Sequence, residues 1–180
     1  MNGESLRRAY LASPMEFSRV TSGFKMRFHP VLQKWRQHNG VDYAAPTGTP
    51  VRSVGDGVVS FAGVQNGFGN VVMIKHRNQH ETVYAHLSRI AVRKGQNVSQ
   101  GDTIGAVGST GWATGPHLHF EFKVNGAHVD PMQIARASES TQLSPVALAQ
   151  FRRMAVLTAP RLDMADQMQT AGAQSGPRFE

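Results

Sequence analysis

Apolar residues in this chain gather in short runs, not long helical stripes. Segments 51–54, 57–61, 70–75, 81–85, 103–107 and 118–124 are rich in Val, Ile, Tyr and Phe, and Gly or Pro punctuates the chain between them. β-branched and aromatic residues suit a pleated surface. Many short runs divided by turn residues predict a mostly β protein, an antiparallel β-sandwich or open barrel. Several turns are legible. Asn66-Gly67-Phe68-Gly69 connects two runs and Arg77-Asn78-Gln79-His80 can close a hairpin. Asn125-Gly126 is a two-residue hairpin signal, because both residues tolerate positive φ. Gly-Asp pairs recur near the β runs at 51–59 and 92–105, which we read as shared turn chemistry, not a repeat. No lysine sits at a hairpin tip in the manner of a swinging-arm carrier, which argues against that class.

The pattern changes after Ile134. Ser144 can cap a helix, Pro145 can open it, and Leu148, Phe151, Met154 and Ala155 follow at helical spacing. A helix is therefore predicted over 145–157, ending before Pro160, with its apolar stripe docked on the body. From Asp166 onward Gln, Gly, Ala, Ser and Pro predict a flexible tail. Segment 5–15 is expected to form a short helix or strand. The expected organisation is an N-terminal extension over 1–20, a compact domain over 21–135, and the C-terminal helix and tail over 136–180.

Composition narrows the chemistry. A chain of 180 residues suits one domain with a tail. It has no cysteine, so disulfides and thiolate metal sites are excluded and any metal must use histidine and carboxylate. No apolar run reaches membrane-spanning length, and the first residues lack the apolar segment of a secretory signal. Those residues read as a continuation, so the chain is expected to be a piece of a longer exported protein. Lys and Arg number 19 against 12 acids, and a basic surface draws anionic polymers. The charges are scattered, with no basic helix and no aromatic-basic signature, so nucleic acid is not an expected partner. The surface suits attraction to bacterial wall material.

Histidines and carboxylates carry the sharpest signal. In His117-Leu118-His119-Phe120-Glu121, alternate residues of a strand share a face, so His117, His119 and Glu121 look the same way. His38 and Asp42, four apart around Gly40, share a face in an extended segment. Two imidazoles and one carboxylate make a three-ligand set, which leaves zinc an open position for water. His38, Asp42 and His119 can supply that set. No H-E-x-x-H helix provides a base, but His117 and His86, at the end of a strand in Tyr84-Ala85-His86-Leu87, can. Spacing does not decide which of the two is base and which is electrostatic stabiliser. Glu121 can orient a ligand histidine or lie at the surface. Tyr84, Asn70, Trp112 and Thr114 are candidates to line a groove, with 110–116 as a loop over it, and His29 is a candidate for its edge. His76, His80 and His128 are expected at the surface.

His38-Asn-Gly-Val-Asp-Tyr-Ala-Ala-Pro-Thr-Gly-Thr-Pro-Val51, Val83-Tyr-Ala-His-Leu87 and Gly115-Pro-His-Leu-His-Phe-Glu121 together resemble the lysostaphin-type (LytM-like) zinc metallopeptidases of bacterial cell walls. The resemblance covers 21–135, and the segment before it is similar to the murein DD-endopeptidases of Gram-negative bacteria. It implies one zinc per chain on His38, Asp42 and His119, catalytic roles for His86 and His117, and a β-rich groove for a peptide. It further implies hydrolysis of peptidoglycan cross-links, of the D-Ala–meso-diaminopimelate type, on the periplasmic side of the envelope. Regulatory domains or partner proteins would lie outside this chain. The contrasting expectation is a non-catalytic peptidoglycan-binding activator of another hydrolase, against which the intact five-residue set argues.

Overall fold

A computed structural model describes residues 9–16, 19–29, 34–139 and six helical positions between 149 and 158. Contacts divide the chain into a body, Arg8–Ser140, and a separate unit made of 1–7 and 141–180. In that unit Ala149, Gln150, Arg153, Met154, Val156 and Thr158 are helical, and the Thr158 hydroxyl donates to the Met154 carbonyl at 2.8 Å. The expected start of this helix and most of its apolar stripe lie outside the described residues.

Among the described residues, twelve strands build the body: β1 (Arg19–Ser22), β2 (Met26–His29), β3 (Lys34–Gln37), β4 (Val41–Ala44), β5 (Pro50–Arg52), β6 (Gly57–Gln65), β7 (Gly69–Lys75), β8 (His80–Ile90), β9 (Asn97–Val98), β10 (Thr103–Val107), β11 (His117–Val124) and β12 (Ala127–Val129). All pairings are antiparallel. β2 and β3 form a separate hairpin. The main sheet runs β1-β4-β11-β8-β7-β6-β9, with β12 beside the far half of β11. The three predicted turns all form. Asn125 and Gly126 take φ of 51° and 80°, as the hairpin between β11 and β12 requires.

β8 serves two layers. Its first half pairs with β7 and β11, up to Ala85 opposite His119. At His86 the backbone turns to φ 61°, a conformation L-residues seldom adopt, and from Leu87 the strand pairs with β10. β10 in turn pairs with β5. This break folds β5 and β10 back over one face of the main sheet. Val51, Leu87, Ile104 and Val107 thereby join Val41, Tyr43, Val59, Val72, Ile74, Tyr84, Leu118, Phe120 and Phe122 in one core. Each fully buried large aliphatic or aromatic side chain there contributes roughly 1.5–3 kcal/mol.

The strand period then assigns the other face. Leu118, Phe120 and Phe122 point into the core, so His117, His119 and Glu121 point away. Val41 and Tyr43 flank Asp42 in the same sense. On that second face Val71, Val83 and Ala85 form a smaller apolar cluster with Phe61, Phe68 and Met73. β7 and β8 are thus buried on both sides, which is why their sequences read as unbroken apolar runs.

The N-terminal segment departs from the expected helix or strand. Segment 9–16 forms neither helix nor strand. It lies along β5, with the Arg52 amide donating to the Pro14 carbonyl and the Leu11 amide to that of Val54, each at 2.8 Å. Met15 is fully buried, and Tyr10 sets its ring edge-on to Phe122. Irregular backbone holds here because β5 supplies the partners. An unforeseen helix, α1 (Pro131–Glu139), follows β12. Asp130 opens it by accepting from the Met132 amide at 2.9 Å, with Pro131 in the first turn.

Tyr84 belongs to the core, not to a groove. Its hydroxyl accepts from the Val54 amide at 3.0 Å and from Thr82 at 3.1 Å, and burial raises its pKa to about 12. Tyr84→Phe should cost about 1–3 kcal/mol by leaving those buried donors short of a partner. The urea midpoint should fall with an unchanged slope; an unaltered midpoint would contradict this.

Candidate metal centre

The β4–β11 register places Asp42 directly opposite His119, with Ala85 of β8 on the other flank. His38 enters from the end of the β2–β3 hairpin. Its amide donates to the Lys25 carbonyl at 2.9 Å, and Gly40 then carries the chain close under β11. A β-carbon at Gly40 would fall on the Phe120 carbonyl oxygen, so glycine alone permits this approach. Three atoms converge as a result. His38 Nε2 lies 3.0 Å from Asp42 Oδ1 and 3.1 Å from His119 Nδ1, and the last two are 2.8 Å apart. All three residues are buried.

The opposite nitrogens explain the state of these rings. His38 Nδ1 lies 2.8 Å from the Gly23 carbonyl, which only accepts, so that nitrogen carries the hydrogen. His119 Nε2 donates to Glu121 Oε1 at 3.1 Å. In the neutral rings, His38 Nε2 and His119 Nδ1 therefore present lone pairs, and both face a carboxylate oxygen. Three lone pairs at about 3 Å repel unless a positive centre joins them. This donor set suits a divalent metal ion bound by nitrogen and oxygen. Without one, a proton is the substitute. Burial opposes charge on His119, but its hydrogen bonds to Asp42 and Glu121 and their charges prevail and raise its pKa to about 9. Burial would also raise Asp42, yet the hydrogen bonds and charges of His119 and His38 hold its carboxyl far below the usual range.

Two further imidazoles stand beside the triangle. The His86 ring centroid is 4.7 Å from that of His117 and 5.9 Å from that of His119. His86 Nδ1 donates to the Thr110 carbonyl and His117 Nδ1 to the Gly115 carbonyl, each at 2.8 Å. Nε2 is thus the bare nitrogen of each neutral ring. Burial depresses His86 most, the Thr110 carbonyl acts the other way, and the neighbouring His117 and His119 depress it further, to about 4. His86 is neutral at physiological pH. Its strained backbone is held by its own amide, which donates to the Phe68 carbonyl at 2.8 Å.

A cleft of about 530 Å³ opens over these five residues. Asn39, Phe68, Trp112, Thr114, Lys123 and His128 also line it. The loops bearing Phe68 and Trp112 are clamped together. The Trp112 amide donates to the Gly67 carbonyl at 2.9 Å, and Thr110 Oγ1 accepts from the Asn70 amide and donates to the Leu87 carbonyl, each at 2.9 Å.

The chain belongs to peptidase family M23. The family match spans residues 36–131, the segment that holds all five residues. The chain is 49% identical over 150 residues to the DD-carboxypeptidase/endopeptidase Mpg of Neisseria meningitidis, covering 83% of this chain and 35% of that protein. It is 48% identical over 134 residues to the peptidoglycan DD-endopeptidase ShyC of Vibrio cholerae, covering 74% and 31%. It thus spans about a third of the length of the curated relatives it matches. Among solved structures, a zinc containing peptidase from Vibrio cholerae matches with a TM-score of 0.65 at 44% identity, over 71% of this chain and 40% of that one. The catalytic domain of lysostaphin from Staphylococcus simulans matches with a TM-score of 0.60 at 34% identity, over 66% and 92%. These likenesses and the His-Asp-His triangle agree on an M23 metal centre.

Other candidates divide. Trp112 and Thr114 line the cleft as expected. Asn70 does not; its side chain donates to the Leu87 carbonyl and supports β8 just past His86. His76 is tied to the Asp56 carbonyl and Thr82, and His80 to the Tyr10 hydroxyl, so both are structural and only partly exposed. The side chain of His29 lies outside the described residues. His128, expected at the surface, reaches Glu121 at the centre. Phe68 is a cleft residue that spacing does not single out, and Thr110, in the expected loop, acts through its backbone carbonyl. Phe68 stacks on His119, with ring centroids 5.9 Å apart, and Thr110 orients His86. A phenylalanine between two glycines in 66–69 was the available signal.

A zinc ion bound at this triangle would have to displace the shared proton from His119. Apparent zinc affinity should therefore rise about tenfold per pH unit from neutral pH and level off above about 9. Chelator competition across pH measures this, and a flat profile would refute it.

Proposed function

We propose that this chain is the catalytic core of a zinc-dependent endopeptidase that hydrolyses the peptide cross-links of bacterial peptidoglycan at D-Ala–meso-diaminopimelate bonds. One zinc per chain is held by His38, Asp42 and His119, and His86 and His117 act on the reacting groups. The reading rests on one observation: three convergent lone-pair atoms adjoin two imidazoles whose bare Nε2 atoms belong to the same open cleft. Relatives named peptidoglycan DD-endopeptidases support the substrate, and action in the cell envelope, on its periplasmic side, is part of the same reading. Among the described residues no helix is long and apolar enough to cross a membrane.

A bound zinc supplies a Lewis acid that polarises a carbonyl and makes water nucleophilic at neutral pH. The chain's own residues supply the proton traffic. With Nδ1–H committed to a backbone carbonyl, the neutral forms of His86 and His117 can only accept at Nε2. Either ring can take the proton of the attacking water. Only a ring that has gained a proton can then donate to the developing oxyanion or to the departing amine. The cleft holds the peptide extended across the sheet face, with Phe68 and Trp112 as an apolar wall.

Mass spectrometry of cross-linked muropeptides tests the whole reading. The zinc-loaded chain should convert dimers to monomers with uptake of one water, and a chelator should stop it. Intact dimers, or cleavage that survives the chelator, would overturn it. His119→Ala should lose both metal and activity. His86→Ala should keep the metal and lose about 10²- to 10⁴-fold in turnover; full activity would remove His86 from the mechanism.

A further inference from the structure

Glu121 is a buried carboxylate, 4% exposed, beside the triangle but outside it. Its two oxygens are divided between two histidines. Oε1 accepts from His119 Nε2 at 3.1 Å, and Oε2 lies 2.9 Å from His128 Nε2. Lys123 Nζ stands 3.9 Å from Oε2 and 3.4 Å from Glu81 Oε1. The arrangement comes from register. His128 of β12 pairs with Lys123 of β11, so its ring comes diagonally alongside Glu121 on the cleft face. The Asn125–Gly126 turn fixes that register.

We infer that Glu121, itself held by His128, is a positioning residue that selects Nδ1 as the metal-facing nitrogen of His119. An imidazole can bind a metal through either nitrogen, and the choice follows from the hydrogen bond made by the other. Here the buried oxygen at Nε2 holds the ring, because a flip about Cβ–Cγ would put Cε1 and Cδ2 where Nε2 and Nδ1 now stand and lose the hydrogen bond to the carboxylate. His128 ties the second oxygen, so the carboxylate cannot swing away. The inference rests on His119 being a metal ligand, as proposed above.

Zinc affinity by chelator competition, with cadmium–nitrogen coupling in ¹⁵N-histidine-labelled protein to identify the ligating atom, tests this without reference to turnover. Glu121→Ala should weaken zinc binding about 10- to 100-fold and let cadmium appear on His119 Nε2. Glu121→Gln keeps an acceptor oxygen and should restore most of the affinity and the Nδ1 coupling. His128→Ala, at a half-exposed position with little bearing on folding, should give a smaller loss in the same direction. Unchanged affinity and Nδ1 coupling in both alanine variants would overturn the inference, as would equal losses in Glu121→Gln and Glu121→Ala. A wild-type chain that binds no zinc would instead overturn the metal centre itself.

Discussion

The pairing of β4 with β11 is the constraint on which the site depends. It sets Asp42 against His119 across one rung of an antiparallel ladder. A slip of β4 by one residue would turn Asp42 into the apolar core and bring Val41 or Tyr43 to the cleft face. The core prevents the slip, because Leu118, Phe120 and Phe122 are already committed to the other side. The packing that stabilises the sheet thus also aims Asp42 and His119 at the cleft. Gly40 completes the arrangement by letting His38 come round beneath the Phe120 carbonyl.

Around that rung, four imidazoles are held by their outer nitrogens. Gly23, Thr110 and Gly115 provide carbonyls and Glu121 a carboxylate. Each acceptor fixes a tautomer and leaves the other nitrogen bare at the site. None of these bonds involves substrate, yet together they decide what the site can do: three atoms able to hold a cation, two able to receive a proton. Among the described residues, no buried side-chain nitrogen or oxygen lacks a partner. Conflict remains at the convergent lone pairs, which a metal ion could relieve.

Stability and chemistry occupy opposite faces of one sheet. The large core lies between the main sheet and the β5–β10 flap, while the cleft lies on the other side over a small apolar cluster. His86 links the two. Its left-handed backbone is the point where β8 leaves β11 for β10, so the break that closes the core also delivers this imidazole to the cleft. The strain is offset by amide and ring hydrogen bonds to the Phe68 and Thr110 carbonyls. The loops that wall the cleft are therefore also those that hold the histidine in place.

Local order was legible in the sequence because strand period and turn chemistry act over a few residues. The runs at 70–75, 103–107 and 118–124, the Asn125-Gly126 hairpin, and the shared face of His117, His119 and Glu121 follow from alternation and from φ preferences alone. The Asp130-Pro131 signal of α1 is equally local. Pairing across long separations was not legible. Nothing in the spacing of residues 42, 86 and 119 states that β8 bends at His86, that Tyr84 faces inward, or that His128 reaches Glu121. Motif resemblance could gather His38, Asp42 and His119 into one set, but not the carbonyls that orient them. Backbone acceptors carry no side-chain signature. Which oxygen meets which ring is decided only when the sheet has closed and its register is set.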